Sequence, residues 1–412
     1  LSDDDVPSAR LKQIIDKSYG SFRDVRVTPV KPLVDGLHVL ELFHGPTFAF
    51  KDVALQFLGN LFEYLLEQRP GKKLTVVGAT SGDTGSSAIQ GLRGKKGVEC
   101  FIMYPDGRTS PIQEQQMITV LDPNVHNIAL GGTFDDCQRV VKELFADSGF
   151  RDEYSLAAVN SINWARILAQ TVYYVHAYLQ VTAPAEPGSP PPKVSFSVPT
   201  GNFGDILAGW YAKQMGLPIE RLIVATNEND ILHRFWSAGD YSKSAVTQTL
   251  SPSMDIQISS NFERFLFHMG GDSTDDLAKL MHGFEATGKL EPSEALLAAC
   301  RSQMVSERIS DKEVLETIAD VHLRHNGYTL DPHSAIGVAA AKRHLSTEVP
   351  MVCLACAHWA KFKSAVTSAL GAEAMDGKAL PEPLASLHTL ETRVKRLPNS
   401  TGAVQQFIRE SV

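Results

Sequence analysis

The strongest constraint on the fold is a repeated alternation of short apolar strands with helices, which begins near Lys73. Leu74–Gly78 is predicted as a strand, and Ser86–Arg93 as the helix that follows it. The same order of strand, loop and helix recurs as far as Phe145 and starts again at Val194. This alternation predicts parallel sheets covered by helices on both faces. The predicted fold class is therefore α/β.

The other predicted elements follow the same patterns of apolar runs and helical periodicity. The predicted strands are His38–Phe43, Glu99–Tyr104, His126–Leu130, Val194–Val198, Leu222–Thr226 and Pro350–Ala357. The predicted helices are Pro111–Val120, Thr133–Phe145, Ile162–Val181, Ile206–Met215 and Lys361–Leu370. Two further helices are predicted to begin near Asp52 and Asp331. Leu277–Arg324 is predicted to be mostly helical and to cover a sheet. The Pro-rich segment 182–192 is predicted as an exposed loop.

Composition narrows the class of protein further. The chain has 412 residues, is 43% hydrophobic and carries a formal net charge of -8. These values predict a soluble globular protein with two domains or one large α/β body, and we expect it to be cytoplasmic. That charge disfavours a nucleic-acid partner, and no apolar run is long enough for a membrane span. The five cysteines are few and irregularly spaced, as expected of free thiols. No metal site is predicted.

Lys51 is the first candidate for chemistry. It follows a Gly-Pro turn, is flanked by Phe48 and Phe50, and stands at the predicted start of a helix. Poor solvation there favours the neutral amine, which is the form that reacts with an aldehyde cofactor. The alternative is a lysine whose stem simply covers apolar surface.

Two glycine-rich loops join strands to helices. The loop Pro199–Asp205 reads PTGNFGD, and backbone N–H groups at such a helix start bind phosphate without any cation. The loop Thr80–Gly85 reads TSGDTG and adds hydroxyl groups suited to a substrate carboxylate. An ordinary strand-to-helix turn and an ordinary helix cap are the respective alternatives.

Two further segments carry cations before predicted helices. Asn163 and Arg166 lie one turn apart, so their side chains could converge on one anion. A buried structural carboxylate is the alternative partner for Arg166. Arg108 precedes another helix together with Thr109 and Ser110, and a surface position is the ordinary expectation for it.

These segments together resemble the threonine synthases of the fungal and bacterial type, a family of fold-type II pyridoxal-phosphate enzymes. The matching text reads ELFHGPTFAFKDVALQFLGNLFEY, VVGATSGDTGSSAI, SPIQEQQM, NSINWARILAQ, PTGNFGDILAG, ATNENDIL, SSNFERFLF, DPHSAIG and AHWAKF. It extends from about Val39 to Phe362, nearly the whole chain. The resemblance implies two domains on parallel sheets with the active site in the cleft between them.

The resemblance also implies roles for individual residues. Lys51 would form the covalent link to pyridoxal 5'-phosphate, and the cofactor would further contact Asp83, Gly201, Asn202, Phe203, Gly204 and Cys356. The substrate would contact Thr80, Ser81, Asp83, Thr84, Arg108, Ser110, Asn163 and Arg166. A weaker candidate site is Asn261, Glu263 and Arg264, for which a packed surface turn is an equally good interpretation.

The implied domains are residues 51–160 as the smaller one, with 1–50 and 161–412 forming the larger one. The implied reaction converts O-phospho-L-homoserine and water into L-threonine and phosphate by γ-elimination and β-addition, a carbon–oxygen lyase reaction acting on phosphate. Closure of one domain over the other would keep the site dry. The protein would act on a small phosphorylated amino acid, as a monomer or homodimer.

The chain departs from the family pattern near its last predicted strand. Cys356 replaces the expected threonine whose hydroxyl meets the pyridine nitrogen, and a thiol is a poorer hydrogen-bond partner. Trp359 replaces an expected proline. The family's N-terminal segment is also expected to be missing. Two alternatives stay open: a phospho-lyase that releases 2-ketobutyrate, ammonia and phosphate, and a cofactor-binding interaction protein without turnover.

Overall fold

The computed structural model describes residues 5–33, 36–182 and 189–412. Most of the predicted Pro-rich loop, residues 183–188, therefore lies outside the described residues, as do residues 1–4 and 34–35. Within the described ranges, no helix combines the length and apolar character needed to cross a membrane.

Several of the helices begin after a polar cap residue, such as Ser110, Thr133 and Ser310. They are α1 (Ser8–Tyr19), α2 (Lys51–Glu67), α3 (Asp83–Leu92), α4 (Pro111–Ile118), α5 (Phe134–Ala146), α6 (Ser148–Glu153), α7 (Trp164–Val181), α8 (Gly204–Gln214), α9 (Ile231–Ala238), α10 (Phe262–Met269), α11 (Thr274–Thr287), α12 (Glu294–Gln303), α13 (Asp311–Arg324), α14 (Pro332–Lys342), α15 (Lys363–Leu370), α16 (Ala372–Met375), α17 (Glu382–Ala385) and α18 (Thr401–Ser411). Short 3₁₀ turns span Pro252–Met254, Trp359–Phe362 and Leu387–Thr389.

The strands are mostly short and apolar. They are β1 (Val30–Pro32), β2 (Leu37–Glu41), β3 (Leu74–Ala79), β4 (Val98–Pro105), β5 (Val125–Leu130), β6 (Leu156–Ala157), β7 (Val194–Pro199), β8 (Ile219–Thr226), β9 (Tyr241–Ser242), β10 (Lys289–Leu290), β11 (Val305–Arg308), β12 (Met351–Ala355) and β13 (Lys395–Leu397).

The chain divides into two compact units. Unit 1 contains the described residues up to Val27, together with His44–Arg166 and Ala379–Val412, and unit 2 contains Thr28–Phe43 and Ile167–Lys378. This division differs from the predicted one, which gave the two chain ends to the larger domain. The reason lies partly in β13, which pairs with β5 and so carries the C-terminal segment into unit 1.

Unit 1 is built on a parallel sheet in the order β13-β5-β4-β3-β6. Successive residues of its strands enter two separate cores, because side chains alternate between the faces of a sheet. Val76 and Ile102 pack with α2, α3 and α4, whereas Val77 and Met103 pack with α5 and α18. The predicted parallel sheet with helices on both faces is confirmed in this unit.

Helices α2 and α3 touch through glycines. A Cβ added to Gly59 would lie 1.9 Å from the carbonyl oxygen of Gly91, and one added to Gly91 would lie 2.3 Å from the carbonyl oxygen of Leu55. No larger residue fits at either position without moving a backbone. Since α2 begins at Lys51 and α3 begins at Asp83, this crossing fixes the starts of both helices relative to each other.

Unit 2 is built on a sheet in the order β1-β2-β12-β7-β8-β11. All of its pairs are parallel except β1 with β2. Helices α13 and α14 cover one face. The strands β7, β8 and β12 are parallel, so their carboxyl ends lie at the same end of the sheet. The loops after these strands therefore lie together at that end, where α/β folds bind ligands.

The prediction that Leu277–Arg324 is mostly helical is confirmed, but the segment also contains a strand of the main sheet of unit 2. Val305–Arg308 is not helical but forms β11, which pairs in parallel with β8 at the edge of the sheet. The segment reads Val-Ser-Glu-Arg and is only partly buried, so it lacks the apolar run that identifies the central strands. Helices α11, α12 and α13 account for most of the remaining range.

Candidate active site

Lys51 is the first residue of α2, in unit 1. Its exposed fraction is only 9%, and its ammonium nitrogen lies 4.8 Å from the centre of the Phe50 ring. The lysine is therefore poorly solvated, as expected from its aromatic neighbours. The chemical role assigned to it remains a prediction.

The turn before Lys51 is held by Asp52. The carboxylate of Asp52 accepts hydrogen bonds of 2.7 Å from both the N–H and the hydroxyl group of Thr47. The Thr47 hydroxyl oxygen is also 2.8 Å from the hydroxyl of Ser87, on α3, and the Thr47 carbonyl accepts from Gln116 at 3.1 Å. The turn that presents Lys51 is therefore pinned to α2, α3 and α4.

The carboxylate of Asp83 forms an ion pair with Lys51, at 3.7 Å from the lysine nitrogen. Its other oxygen accepts a 2.7 Å hydrogen bond from the side-chain amide of Gln113. The amide oxygen of Gln113 in turn accepts a 2.8 Å bond from the Ser110 hydroxyl. We call Lys51, Asp83, Gln113 and Ser110 the amine site.

Gln113 was missed by the sequence reasoning, although a signal was present. Ser110 is the N-cap of α4 and accepts from the N–H of Gln113. Ser-x-x-Gln at a helix start is the pattern in which the third residue folds its side chain back towards the cap. The backbone of Gly82 gives the Gln113 side chain room, since a Cβ on Gly82 would lie 2.5 Å from it.

The loop after β3 uses its hydroxyl groups in different ways. The Thr80 hydroxyl oxygen accepts 2.9 Å bonds from the N–H groups of Gly82 and Gly85, so it shapes the loop from within. Ser81 is exposed and Thr84 is half-buried. Of the predicted substrate contacts in this loop, Ser81 and Thr84 are thus the more accessible hydroxyls.

The residues predicted to hold a second anion follow β4 and β6, the strands on either side of β3, and Arg166 lies in the first turn of α7. Arg108 is exposed. Arg166 is buried at 3% exposure, and its guanidinium donates to the Val159 carbonyl at 2.8 Å. The side chain of Asn163 caps α7 and donates to the Ala158 carbonyl, both at 3.0 Å. Asn163 therefore shapes its own loop.

The glycine loop of unit 2 follows β7. Within the part of the chain that the structure describes, the backbone N–H groups of Gly201, Asn202, Phe203 and Gly204 have no hydrogen-bond acceptor. Phe203 adopts a left-handed conformation with φ of 63°, and α8 begins directly after it. Amide donors with the positive end of a helix dipole form an anion-binding concavity. We call residues 201–204 the anion cradle.

The carbonyl groups of the cradle are held from behind. The Gly201 carbonyl accepts a 2.7 Å bond from the Ser259 hydroxyl. The Asn202 carbonyl accepts from the N–H and the side-chain amide of Asn261, at 3.1 Å and 3.0 Å. Asn261 was a weak candidate for a site of its own, together with Glu263 and Arg264. Its contacts assign it instead to the support of the cradle.

The Phe203 and Asp205 side chains below the cradle are buried. The Phe203 ring is buried against Trp236, Phe262 and Phe265, with ring centres 5.4–5.9 Å away. In the first turn of α8, the Asp205 carboxylate accepts from the hydroxyls of Tyr173 and Tyr174. Burial, with the charge of Asp205, raises the pKa of both tyrosines well above the usual value, so both stay protonated and donate.

Cys356 follows β12, which pairs with β7, and so it lies at the same sheet edge as the cradle. It is buried, its N–H donates to the Ser334 hydroxyl at 3.0 Å, and its sulfur is 3.8 Å from the Leu354 carbonyl oxygen. All five cysteines are buried thiols. No cluster of potential metal ligands occurs among the described residues.

Comparison with protein families gives two matches. The model described as pyridoxal-phosphate dependent enzyme covers residues 25–357. The model described as threonine synthase, C-terminal, covers residues 334–408.

Individual relatives of this chain are consistent with both family matches. The threonine synthase of Pseudomonas aeruginosa is 50% identical over 98% of this chain and 84% of its own length. The crystal structure of threonine synthase with bound PLP from Brucella melitensis has a TM-score of 0.91 and 47% identity, covering 98% of this chain and 85% of the other. Yeast threonine synthase has a TM-score of 0.91 and 45% identity, covering 100% and 86%. The chain belongs to the pyridoxal-phosphate-dependent enzymes and, within them, to the threonine synthases.

Proposed function

We propose that this protein converts O-phospho-L-homoserine and water into L-threonine and inorganic phosphate, with pyridoxal phosphate as its cofactor. The observation that carries the proposal is the amine site, in which a buried lysine faces a carboxylate held by two further side chains. Membership of the threonine synthases supports the choice of reaction.

The residues present fit the cofactor. An aldehyde group requires an amine, and Lys51 is buried at a helix start. A phosphate group requires several N–H donors, and the four amides of the cradle have no acceptor among the described residues. Lys51 would hold the aldehyde and the cradle the phosphate, while Cys356 would face the ring nitrogen. When bound, pyridoxal phosphate supplies an electron sink for the carbanion chemistry of the substrate.

Lys51, released when the substrate amine takes its place on the aldehyde, would move the protons. Loss of phosphate from Cγ and addition of water at Cβ both require proton transfers at Cα and Cβ, which an amine within reach of these carbons can perform. Asp83 restrains the lysine nitrogen, and Gln113 fixes the orientation of Asp83. The role of these two residues is therefore to keep the amine aimed at the reacting carbons.

The substrate would be held by the loops of unit 1. The hydroxyls of Ser81 and Thr84 and the N-terminus of α3 suit the substrate carboxylate. Arg108, Ser110, Asn163 and Arg166 are proposed to surround the substrate phosphate. Cations there would both bind the substrate and stabilise the charge on the departing phosphate. We further propose that the enzyme is cytoplasmic and acts as a monomer or homodimer.

The test is a product assay with purified protein and O-phospho-L-homoserine, in which threonine, 2-ketobutyrate and phosphate are measured together. Equal amounts of threonine and phosphate support the proposal. Ketoacid and phosphate without threonine would indicate the phospho-lyase instead. Absence of all three products, with cofactor bound, would indicate a binding protein without turnover.

A further inference from the structure

The segment Asp331–Gly337 reads DPHSAIG and has no role in the site described so far. Asp331 is the N-cap of α14 and is buried at 1% exposure. One carboxylate oxygen accepts from the His333 N–H at 3.0 Å and from the ring Nδ1 of His333 at 2.6 Å. The other accepts from the N–H of Ser334 at 3.1 Å and from the Ser334 hydroxyl.

These contacts determine the tautomer of His333. A carboxylate only accepts, so the ring hydrogen is on Nδ1. The opposite nitrogen, Nε2, lies 3.2 Å from the N–H of Ser253, which only donates. His333 is therefore a neutral imidazole that accepts from Ser253, and Asp331 fixes its orientation.

Ser253 lies in the 3₁₀ turn Pro252–Met254, which forms the wall behind the anion cradle. A Cβ added to Gly201 would lie 3.2 Å from the carbonyl oxygen of Ser253 and 3.3 Å from the Cα of Met254. The backbone of this turn thus limits where Gly201 can be. Any shift of the turn changes the direction of the cradle amides.

The residues on either side of the same turn are held by the side chains of Asn227 and Asn229. The side-chain amide of Asn227 donates to the Ser251 hydroxyl at 3.0 Å and to the Asp255 carboxylate at 2.8 Å. Asn229 donates to the same carboxylate at 2.9 Å. The residues on either side of the turn are thus held by the loop after β8, whereas the centre of the turn is held by His333.

Asp331 is also connected, through Ser334, to Cys356, which is proposed to contact the cofactor. The Ser334 hydroxyl donates to Asp331 and accepts from the N–H of Cys356 at 3.0 Å. One buried carboxylate therefore connects the wall of the cradle with the end of β12. A helix cap alone does not require this burial, since removing a carboxylate from water costs free energy that several hydrogen bonds must offset.

We propose that His333, oriented by Asp331, is a positioning residue that holds the Ser253–Met254 backbone against Gly201 and keeps the cradle amides aimed at one phosphate group. This inference rests on the proposed role of the cradle as the cofactor phosphate site. It concerns neither proton transfer nor contact with the reacting atoms.

Two variants of His333 test the hydrogen bonds of its two ring nitrogens separately. In His333→Asn, the side-chain amide replaces Nδ1 and still donates to Asp331, but the bond to Ser253 is lost. In His333→Gln, the longer side chain places an oxygen near Nε2 that can accept from Ser253, while the bond to Asp331 is lost. His322→Asn is the matched control, because His322 also uses Nδ1, towards Thr329 at 3.0 Å, but on α13 away from the turn.

The measurement is the dissociation constant of the apo-protein for pyridoxal phosphate and for pyridoxal, which lacks the phosphate. We expect His333→Asn to weaken pyridoxal phosphate binding about tenfold and His333→Gln to weaken it less. Neither variant should change the affinity for pyridoxal by more than about twofold, and the control should match the wild type for both. The thermal midpoint of each apo-protein is recorded alongside.

Three results would overturn the proposal. The first is that His333→Asn binds pyridoxal phosphate with wild-type affinity. The second is that the two His333 variants lose equal affinity for pyridoxal phosphate. The third is that the affinity for pyridoxal falls in parallel, which would indicate general damage to the fold. None of these readouts uses turnover. If the protein fails to convert O-phospho-L-homoserine, the proposed reaction fails but the binding result still decides the role of His333.

Discussion

In unit 1 the amine site is made of side chains, whereas in unit 2 the anion cradle is made of backbone. Gln113 donates a hydrogen bond to Asp83, which in turn forms an ion pair with Lys51. The cradle instead presents amide groups whose carbonyls are held by Ser259 and Asn261. A chain of side chains depends on the identity of each member, while a backbone cradle depends on shape. Substitutions in the two regions should therefore affect different quantities.

Lys51→Ala should have the largest effect. Loss of the amine removes both the proposed attachment point of the cofactor and the proposed proton carrier, so kcat should fall by about 10³-fold or more. Lys95→Ala is a matched control, since Lys95 is also a largely buried lysine of unit 1 and lies 3.8 Å from Glu63. Steady-state kinetics at saturating cofactor checks this. Loss of activity in the control alone would contradict it.

Asp83→Asn should lower kcat by about 10²-fold. The substituted side chain can still accept the hydrogen bond of Gln113 but no longer presents a charge to Lys51. The dissociation constant for pyridoxal phosphate should change little, because the proposed phosphate site is the anion cradle and does not include Asp83. A variant with normal kcat and weakened cofactor binding would reverse the proposed contrast between the two regions.

Gly201→Ala should show the opposite pattern. The added methyl group would meet the backbone of Ser253 and Met254, so the cradle must shift by a few tenths of an ångström. We expect about tenfold weaker pyridoxal phosphate binding, with kcat at saturating cofactor nearly retained. Gly283→Ala, at a position with nothing within 4 Å of the new Cβ, should bind like the wild type. Equal affinities in both variants would argue against a tight cradle.

Gln113→Leu should lower kcat by about fivefold, the value expected from loss of one hydrogen bond that orients Asp83. Gln115→Leu serves as its control on the same helix, because the side-chain oxygen of Gln115 is buried without a hydrogen-bond partner among the described residues. Kinetics of both variants under identical conditions provides the check. An equal loss in the two would show that packing of α4, and not the orientation of Asp83, is responsible.

Tyr241→Phe should have the smallest effect, a loss of stability that depends on pH. Burial raises the pKa of Tyr241 to about 12, so the folded state holds this proton more tightly than the unfolded state does. Its contribution to stability is complete below the usual pKa of about 10 and is lost as the pH rises towards 12. In that window the difference in unfolding free energy between wild type and variant should fall by about 1.4 kcal/mol per pH unit. Urea unfolding from pH 9 to 12 measures it; a constant difference would contradict it.

The central strands were predictable because their signal is local. β3, β4, β5, β7 and β12 are apolar runs bounded by turns, and their predicted ends agree with the structure within two residues. β11 and β13 carry no such run and become strands only by pairing at the edges of finished sheets. The division into units depends on the same long-range pairing, which no local pattern reveals.

In the candidate site, too, local sequence patterns identify some residues but not those whose role depends on long-range contacts. Lys51 and the glycine loops stand out in the sequence because residue type and position alone suggest their chemistry. Gln113 and His333 do not, since their importance arises from contacts with Asp83 and Ser253 across 30 and 80 residues of chain. Asn163 has a suitable residue type, yet its polar atoms cap its own helix.

The most direct test of the central claim is to treat the cofactor-loaded protein with borohydride, digest it and locate the reduced cofactor by mass spectrometry. We predict that a single lysine carries the phosphopyridoxyl group and that it is Lys51. Modification of another lysine, with Lys51 unmodified, would contradict the assignment.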